Sequence, residues 1–293
     1  MAINENVAGQ NSVAITGTAT GENSAGVLGK GDTNGIQAEG GANGLFANGK
    51  SWCGVVGLSQ STTGGFGVYG ENTAGGTGVV GKSKGWHAVA GFSESTTGGF
   101  GVYGEAVGTG VAGISKTWMG VYGETQSTTG GAGVCGKGKL AGLFQGDVVV
   151  TGDIQLTNAD CAEHFNIGAG VTVEPGTVMV VGEDGALFPS QYAYDKRVAG
   201  VVSGAGNYKP GIVLDKQESG NTRKPIALLG KVYCKVDAHY GAIGVGDLLT
   251  TSPTPGHAMK ADDPLEAFGT VIGKALRPLA EGQGLIPILI ALQ

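Results

Sequence analysis

The chain has 293 residues, 59 of them glycine, only 6% aromatic residues and a formal net charge of −6. That charge gives no basic footprint for nucleic acid, and no stretch approaches the ~20 apolar residues of a membrane-spanning helix. The start, MAINENVAGQ, has neither the basic nor the apolar region of a signal peptide, so synthesis in the cytoplasm is expected.

The glycines are unevenly placed. Residues 1–150 hold 39 of them with no proline and no arginine, while all nine prolines fall after residue 174. Collagen is excluded, because glycine is not strictly every third residue and no proline accompanies it. A disordered linker fits poorly, because Val, Leu, Phe and Tyr recur at fixed places between the glycines. Cys53, Cys135, Cys161 and Cys234 are scattered with no CxxC pair, and read as small apolar fillers.

Residues 1–50 carry weak copies of a short motif, such as Gly44-Leu45-Phe46-Ala47, and read as degenerate repeats or an attachment segment. From 51 to 146 the repetition is strong. Trp52, Trp86 and Trp118 lie 34 and 32 residues apart, each followed by a near-identical run: QSTTGGFGVYGE, ESTTGGFGVYGE, QSTTGGAGVCGK. A repeat of this kind marks stacked units that cannot bury their apolar faces alone.

Inside each repeat recurs Gly, a branched apolar residue, a variable residue, then Gly or Ala. The first apolar position is occupied by Val55, Val68, Val79, Val89, Val102, Val111, Val121 and Val134. Glycine at both ends disfavours helix, so each motif is predicted to be a very short strand between glycine corners. The corners would supply φ > 0 and close backbone approach. Neighbouring side chains of a strand face opposite ways, so the valines are expected to line one tight interior and the second column a more tolerant layer.

The predicted fold class is all-β: a glycine-rich β-helix or β-prism shaft, followed by a compact C-terminal barrel or sandwich. Unpaired strand edges must be covered. An intertwined homotrimer or a single-chain solenoid would do so, and rungs every 9–13 residues favour the trimer. Twelve layers at ~4.8 Å would give a shaft of about 50–60 Å. The tryptophans can be read as a ladder for sugars or as plugs of the wide turns, and their large apolar area favours plugs. The Ser-Thr-Thr-Gly-Gly segments are expected to be outward loops.

Residues 147–165 read as a neck, within which Asp160-Cys161-Ala162-Glu163-His164 carries the densest chemistry. Cys161 with His164 could be a nucleophile and base, and Cys161, Glu163 and His164 could be metal ligands tripled about an axis. A polar hinge is the plainer reading. Residues 166–293 read as an all-β domain, with strands over 177–181, 198–202, 211–214, 226–236, 247–250, 269–275 and 285–292. Lys231–Val236 alternates clearly, and Pro287 is expected at an edge or bulge. His239 and His257 read as exposed, and Asp237 with Asp247 as solvated turn acids. Gly204–Gly211 lacks the Lys-Ser/Thr ending of a phosphate loop. No cofactor is expected.

The glycine-rich GVxG repeats, followed by Leu140-Ala-Gly-Leu-Phe-Gln-Gly-Asp-Val-Val-Val-Thr-Gly-Asp-Ile-Gln-Leu156, resemble phage tail-fibre or appendage proteins and related bacterial proteins. Gln10-Asn-Ser-Val-Ala-Ile-Thr16 is similar to the repeat of trimeric autotransporter adhesin heads. The resemblance implies a homotrimer borne on a virion or phage-tail-like particle, or extracellular. Its implied partners are other particle components and a cell-surface glycan or protein receptor, with no nucleic acid and no membrane insertion. A secreted adhesin or matrix filament is the alternative. Ala159–Phe165 also resembles the D-Y-A-E-x-F stretch that opens one class of appendage autoprotease domain, which leaves a self-cleaving fibre as a further alternative. The S-D-x-R-L-K segment of another self-cleaving class is absent.

Overall fold

The computed structural model describes residues 19–20, 25, 27–30, 32–39, 42–96, 98–217 and 222–292. The adhesin-like run Gln10–Thr16 lies outside them. The chain divides into two compact units, Met1–Val134 and Cys135–Gln293.

Among the described residues before Asp160 there is no helix and no hydrogen-bonded strand, and the side chains up to 158 are exposed. The sequence predicts a strand in each motif. The difference has a physical source: successive motifs meet at their glycines, and a segment two residues wide between turns finds no ladder partner within its own chain.

The second unit is almost entirely β, with a single helical turn at Pro264–Ala267 and a 3-10 turn at Ala238–Tyr240. Its strands are β1 Asp160–Asn166, β2 Val178–Val181, β3 Leu187–Pro189, β4 Val198–Val202, β5 Pro210–Leu214, β6 Arg223–Asp237, β7 Leu248–Thr251, β8 Ala258–Lys260, β9 Gly273–Ala275 and β10 Gln283–Ala291. The order β6-β10-β9-β7-β8 returns to β6, through a parallel contact of Val236 with Ala258, and so closes a five-stranded barrel. Closure removes edges. The remaining strands extend from the first half of β6: β4, β2 and β3 on one path, β1 and β5 on the other.

The 15-residue β6 organises both parts. Its alternation is as the sequence predicts: Val232, Cys234 and Val236 are buried with Ile286, Ile288, Ile290, Leu249 and Ile272 in the barrel core. Gly230, at φ 107°, separates the two halves. A Cβ there would lie 2.6 Å from the Ala159 carbonyl oxygen, so only glycine lets β1 pass this close. A second cluster of Val173, Met179, Leu187, Val202 and Ile226 fills the space beside the barrel.

Pro287 is not at an edge. β10 is paired with β6 throughout and with β9 over Ile288–Ile290. The Pro287 carbonyl accepts from Leu276 N, on the β9 side. In an antiparallel strand a residue's N and C=O point to the same side. The missing N–H therefore faces away from β6, toward Leu276 just past the end of β9, and takes no bond from the β6 ladder.

Candidate functional site

The repeats have a consistent local geometry. A Cβ built on Gly57 would lie 2.2 Å from the carbonyl oxygen of Gly67, and one on Gly67 would lie 2.7 Å from that of Gly57. The last glycine of one motif thus packs directly on the first glycine of the next. The same would-be Cβ meets Val68 Cγ2 at 2.5 Å. Val79 stands on Gly70 in this way, Val89 on Gly81, Val102 on Gly91, Val111 on Gly104, Val121 on Gly113 and Val134 on Gly123, all at 2.4–2.7 Å. Val55 is the exception, since the motif before it ends in Ala47, whose carbonyl oxygen lies 3.4 Å from a Cβ built on Gly54.

A β-branched residue is needed here because its second methyl fills the volume that the glycine's missing side chain leaves. Close approach, rather than φ > 0, is therefore what the motif glycines provide. Among the described residues of 51–146 the left-handed glycines lie outside the motifs: Gly64, Gly98, Gly130 and Gly131 in the Ser-Thr-Thr-Gly-Gly loops, with Gly75 and Gly146. Yet the valine column is not an interior within one chain: its eight members are 62–73% exposed.

The second column carries a recurring Tyr–Glu pair, joined by a Phe in two of its three copies. Tyr69 donates to Glu71 Oε2 at 3.0 Å, Tyr103 to Glu105 at 2.6 Å and Tyr122 to Glu124 at 2.5 Å. Phe66 and Phe100 lie 5.5 Å, ring to ring, from Tyr69 and Tyr103. The Glu hydrogen bond, with a smaller effect of burial, raises the Tyr103 and Tyr122 hydroxyls above their ordinary pKa. In the third repeat Ala132, Cys135 and Lys137 replace Phe, Tyr and Glu together.

The tryptophans do not act as plugs within their own chain: Trp52, Trp86 and Trp118 are 83–89% exposed. Ser83 Oγ accepts from Trp86 N at 3.2 Å and Ser115 Oγ from Trp118 N at 3.1 Å, which fixes the turns that present two of the rings. Trp118, Met119 and Tyr122 line an open cleft with Ser115 and Thr117.

Asp160–His164, which reads as a hinge, lies within strand β1, paired with β6 on one side and over Asp160–Glu163 with β5 on the other. Alternation places Cys161 and Glu163 on the face opposite Asp160, Ala162 and His164, so Cys161 and His164 do not form a dyad. Among the described residues no three His, Cys, Asp or Glu gather as a metal set. Burial, followed by the charges of Arg223 and Lys216, lowers the His164 pKa, and its Nδ1 is buried without a partner. Arg223 binds the His164 carbonyl oxygen and the Asp215 carboxylate.

Sequence reasoning passed over Asp160, the most perturbed acid of this strand. Both of its carboxylate oxygens are buried with no hydrogen-bond partner, as is Ser203 Oγ. Burial pushes the carboxyl above its ordinary pKa. Ser203, near enough to oppose this but outside hydrogen-bond geometry, offsets only part of it.

Asp237 is not a solvated turn acid. It is buried at the end of β6 and caps the 3-10 turn, accepting from His239 N at 3.0 Å, His239 Nδ1 at 2.7 Å, Thr254 Oγ1 at 2.6 Å and Gln283 Nε2 at 3.1 Å. Burial alone would raise it, but these donors outweigh burial and hold it down to about 2. The local signal was Asp-x-His at a strand end, an Asx-type cap. Its long-range donors, Thr254 and Gln283, were not visible in the sequence.

No protein-family model and no curated protein matches the chain. Among solved structures it is similar to pre-mature bacteriophage phi29 gene product 12, at 16% identity and a TM-score of 0.34, over 52% of this chain and 24% of that one. It is also similar to the C-terminal fragment of phi29 gene product 12, at 15% identity and TM-score 0.31, over 45% of this chain and 99% of that one. A third likeness is to the head fiber gp8.5 N base of bacteriophage phi29, at 25% identity and TM-score 0.24, over 44% of this chain and 92% of that one. The aligned part spans about a quarter of the length of the first of these.

Proposed function

We propose that the chain is a structural subunit of a homotrimeric fibre or spike on a phage tail or phage-tail-like particle, which extends the particle or attaches it to a cell surface. On this reading residues 51–146 build the shaft, 147–165 the neck, and 166–293 a cap that sets the register of three chains.

One observation carries the proposal. A glycine packed on the first residue of the next motif (a glycine six times and Ala88 once), with that motif's valine against it, recurs seven times at nearly constant geometry, while every valine and tryptophan of the repeats stays exposed. Monomeric soluble proteins rarely leave more than a few hundred Å² of contiguous apolar surface open. A regular array of this length is therefore the half-built core of an assembly. Three chains supplying one short segment each would close every layer and bury the valine column. Sedimentation or native mass spectrometry at low micromolar concentration tests this. Three chains of 29.1 kDa support a closed fibre, open polymers indicate a matrix filament, and a single chain defeats the architecture.

A self-cleaving fibre is the second reading, and the buried, unpartnered Asp160 in the autoprotease-like run favours it. It requires a chain break between residues 157 and 166. An intact mass showing only full-length chain removes it.

A further inference from the structure

Among the described residues the Cys135–Gln293 unit leaves a sheet edge open at β5, beside an exposed apolar row. Among the described residues β5 pairs with β1 and with no strand on its other side. The registers align Ala291 of β10, Leu229 of β6, Cys161 of β1 and Ile212 of β5 in one row across four strands. Leu229 is 62% exposed, and Ile212 and Leu214 are close to half exposed. A free edge flanked by apolar side chains is a template for an added strand.

The same unit holds a segment that fits it. Val148-Val149-Val150-Thr151-Gly152-Asp153-Ile154-Gln155-Leu156 puts Val148, Val150, Ile154 and Leu156 at alternate positions, and all four are exposed. Alternate residues of a strand share a face, and Val, Ile and Thr favour strands. Nevertheless the segment belongs to no strand here.

We infer that Val148–Leu156 of a second copy of this chain adds as a strand to the free edge of β5. Its apolar face would then extend the row formed by Leu229, Cys161 and Ile212. The inference rests on the homotrimer reading. A chain's own segment is poorly placed for the role. Only Thr157, Asn158 and Ala159 separate it from β1, and Ala159 is pinned by hydrogen bonds to Lys209 and Lys231. The open slot lies beyond β5, ~9.6 Å from β1 at two strand spacings. Three residues would have to cross that distance and also reverse direction. A neighbouring chain's segment has no such tether, and in a closed ring each chain gives one segment and receives one.

Cross-linking in the full-length chain tests this. With Cys53, Cys135 and Cys161 changed to Ser, Ile212→Cys is combined in turn with Val148→Cys, Val150→Cys, Ile154→Cys and Leu156→Cys. Mild oxidation is expected to convert at least one pair into a reducible covalent three-chain band on a denaturing gel. Chains carrying Ile212→Cys alone should give no such band. Leu229→Lys together with Ile212→Lys should lower the trimer fraction at low micromolar concentration at least tenfold. If native mass still gives three chains but no pair links different chains, the strand addition is wrong and the trimer stands. A single-chain mass overturns both.

Discussion

Asp160 and Asp237 are both buried acids in the C-terminal unit, and they respond to pH in opposite directions. Asp160 has no donor, so folding favours its protonated form. The stability associated with that proton is complete below the ordinary carboxylate pKa of ~3.9 and is lost as pH rises through the raised folded value. Asp160→Asn should therefore raise the unfolding free energy at pH 7, because a neutral amide does not carry the cost of a buried unpaired charge. The gain should close as pH falls toward 4. A melt in which Asn destabilises at pH 7 would show that the carboxylate has a partner in the assembly. For Asp237 the sign reverses. Its folded pKa is held down to about 2, so its stability is present above the ordinary carboxylate range and is lost as pH falls through about 2. Asp237→Ala removes a charged acceptor from four donors and should cost about 2–3 kcal/mol at neutral pH, read by urea unfolding. The role of Asp160 was not legible in the sequence, and of that of Asp237 only the local cap on His239 left a signal. Asp160 looks like one polar residue among five, and its isolation comes from the β6 and β5 backbones packed on either side.

At the scale of the element, the repeat motif explains its own composition. Gly91 sits with its would-be Cβ 2.1 Å from the Gly101 carbonyl oxygen, and no side chain can swing aside to make room. Gly85 has nothing within 4 Å and does not lie in the left-handed region. Gly91→Ala should therefore break the motif-to-motif contact, lowering the midpoint of thermal unfolding by several degrees and opening the repeats to protease. Gly85→Ala should change stability by less than about 0.5 kcal/mol. Equal effects at both positions would mean that glycine is present for flexibility and not for approach. The period, the motif and the valine column were all legible in the sequence, because each is a local pattern repeated many times. Of the two roles expected of the motif glycines, close approach holds and positive φ does not. Positive φ and close approach leave the same letter, and only the backbone position separates them. In the C-terminal unit, β2, β4, β5, β6, β7 and β10 follow apolar runs between turn residues and were visible. β9 is the last three residues of the expected strand 269–275, whereas β3 and β8 are short with no apolar run of their own and β1 is polar on paper, so these three were not visible.

At the scale of the whole molecule, the two units differ in how they satisfy their apolar residues. Cys135–Gln293 closes a barrel around Val232, Val236, Ile286, Ile288 and Ile290, and buries the Cys234 thiol so fully that its pKa is pushed far up. In the repeats a fixed series of valines and aromatics is spaced by glycine and left open. The first pattern is a fold that one chain can complete, and on the proposed reading the second is completed by copies of the chain. Barrel closure was not readable from sequence, because it depends on one parallel contact between β6 and β8 that joins residues far apart along the chain. The expectation of partners comes from short segments with too few neighbours, and the native mass is its test. The central claim, that three chains complete what one begins, is tested most directly by the native mass of the full-length protein at low micromolar concentration. The account predicts a discrete species of three 29.1 kDa chains that persists on dilution. A stable single-chain species, with the repeats folded and resistant to protease, would contradict it.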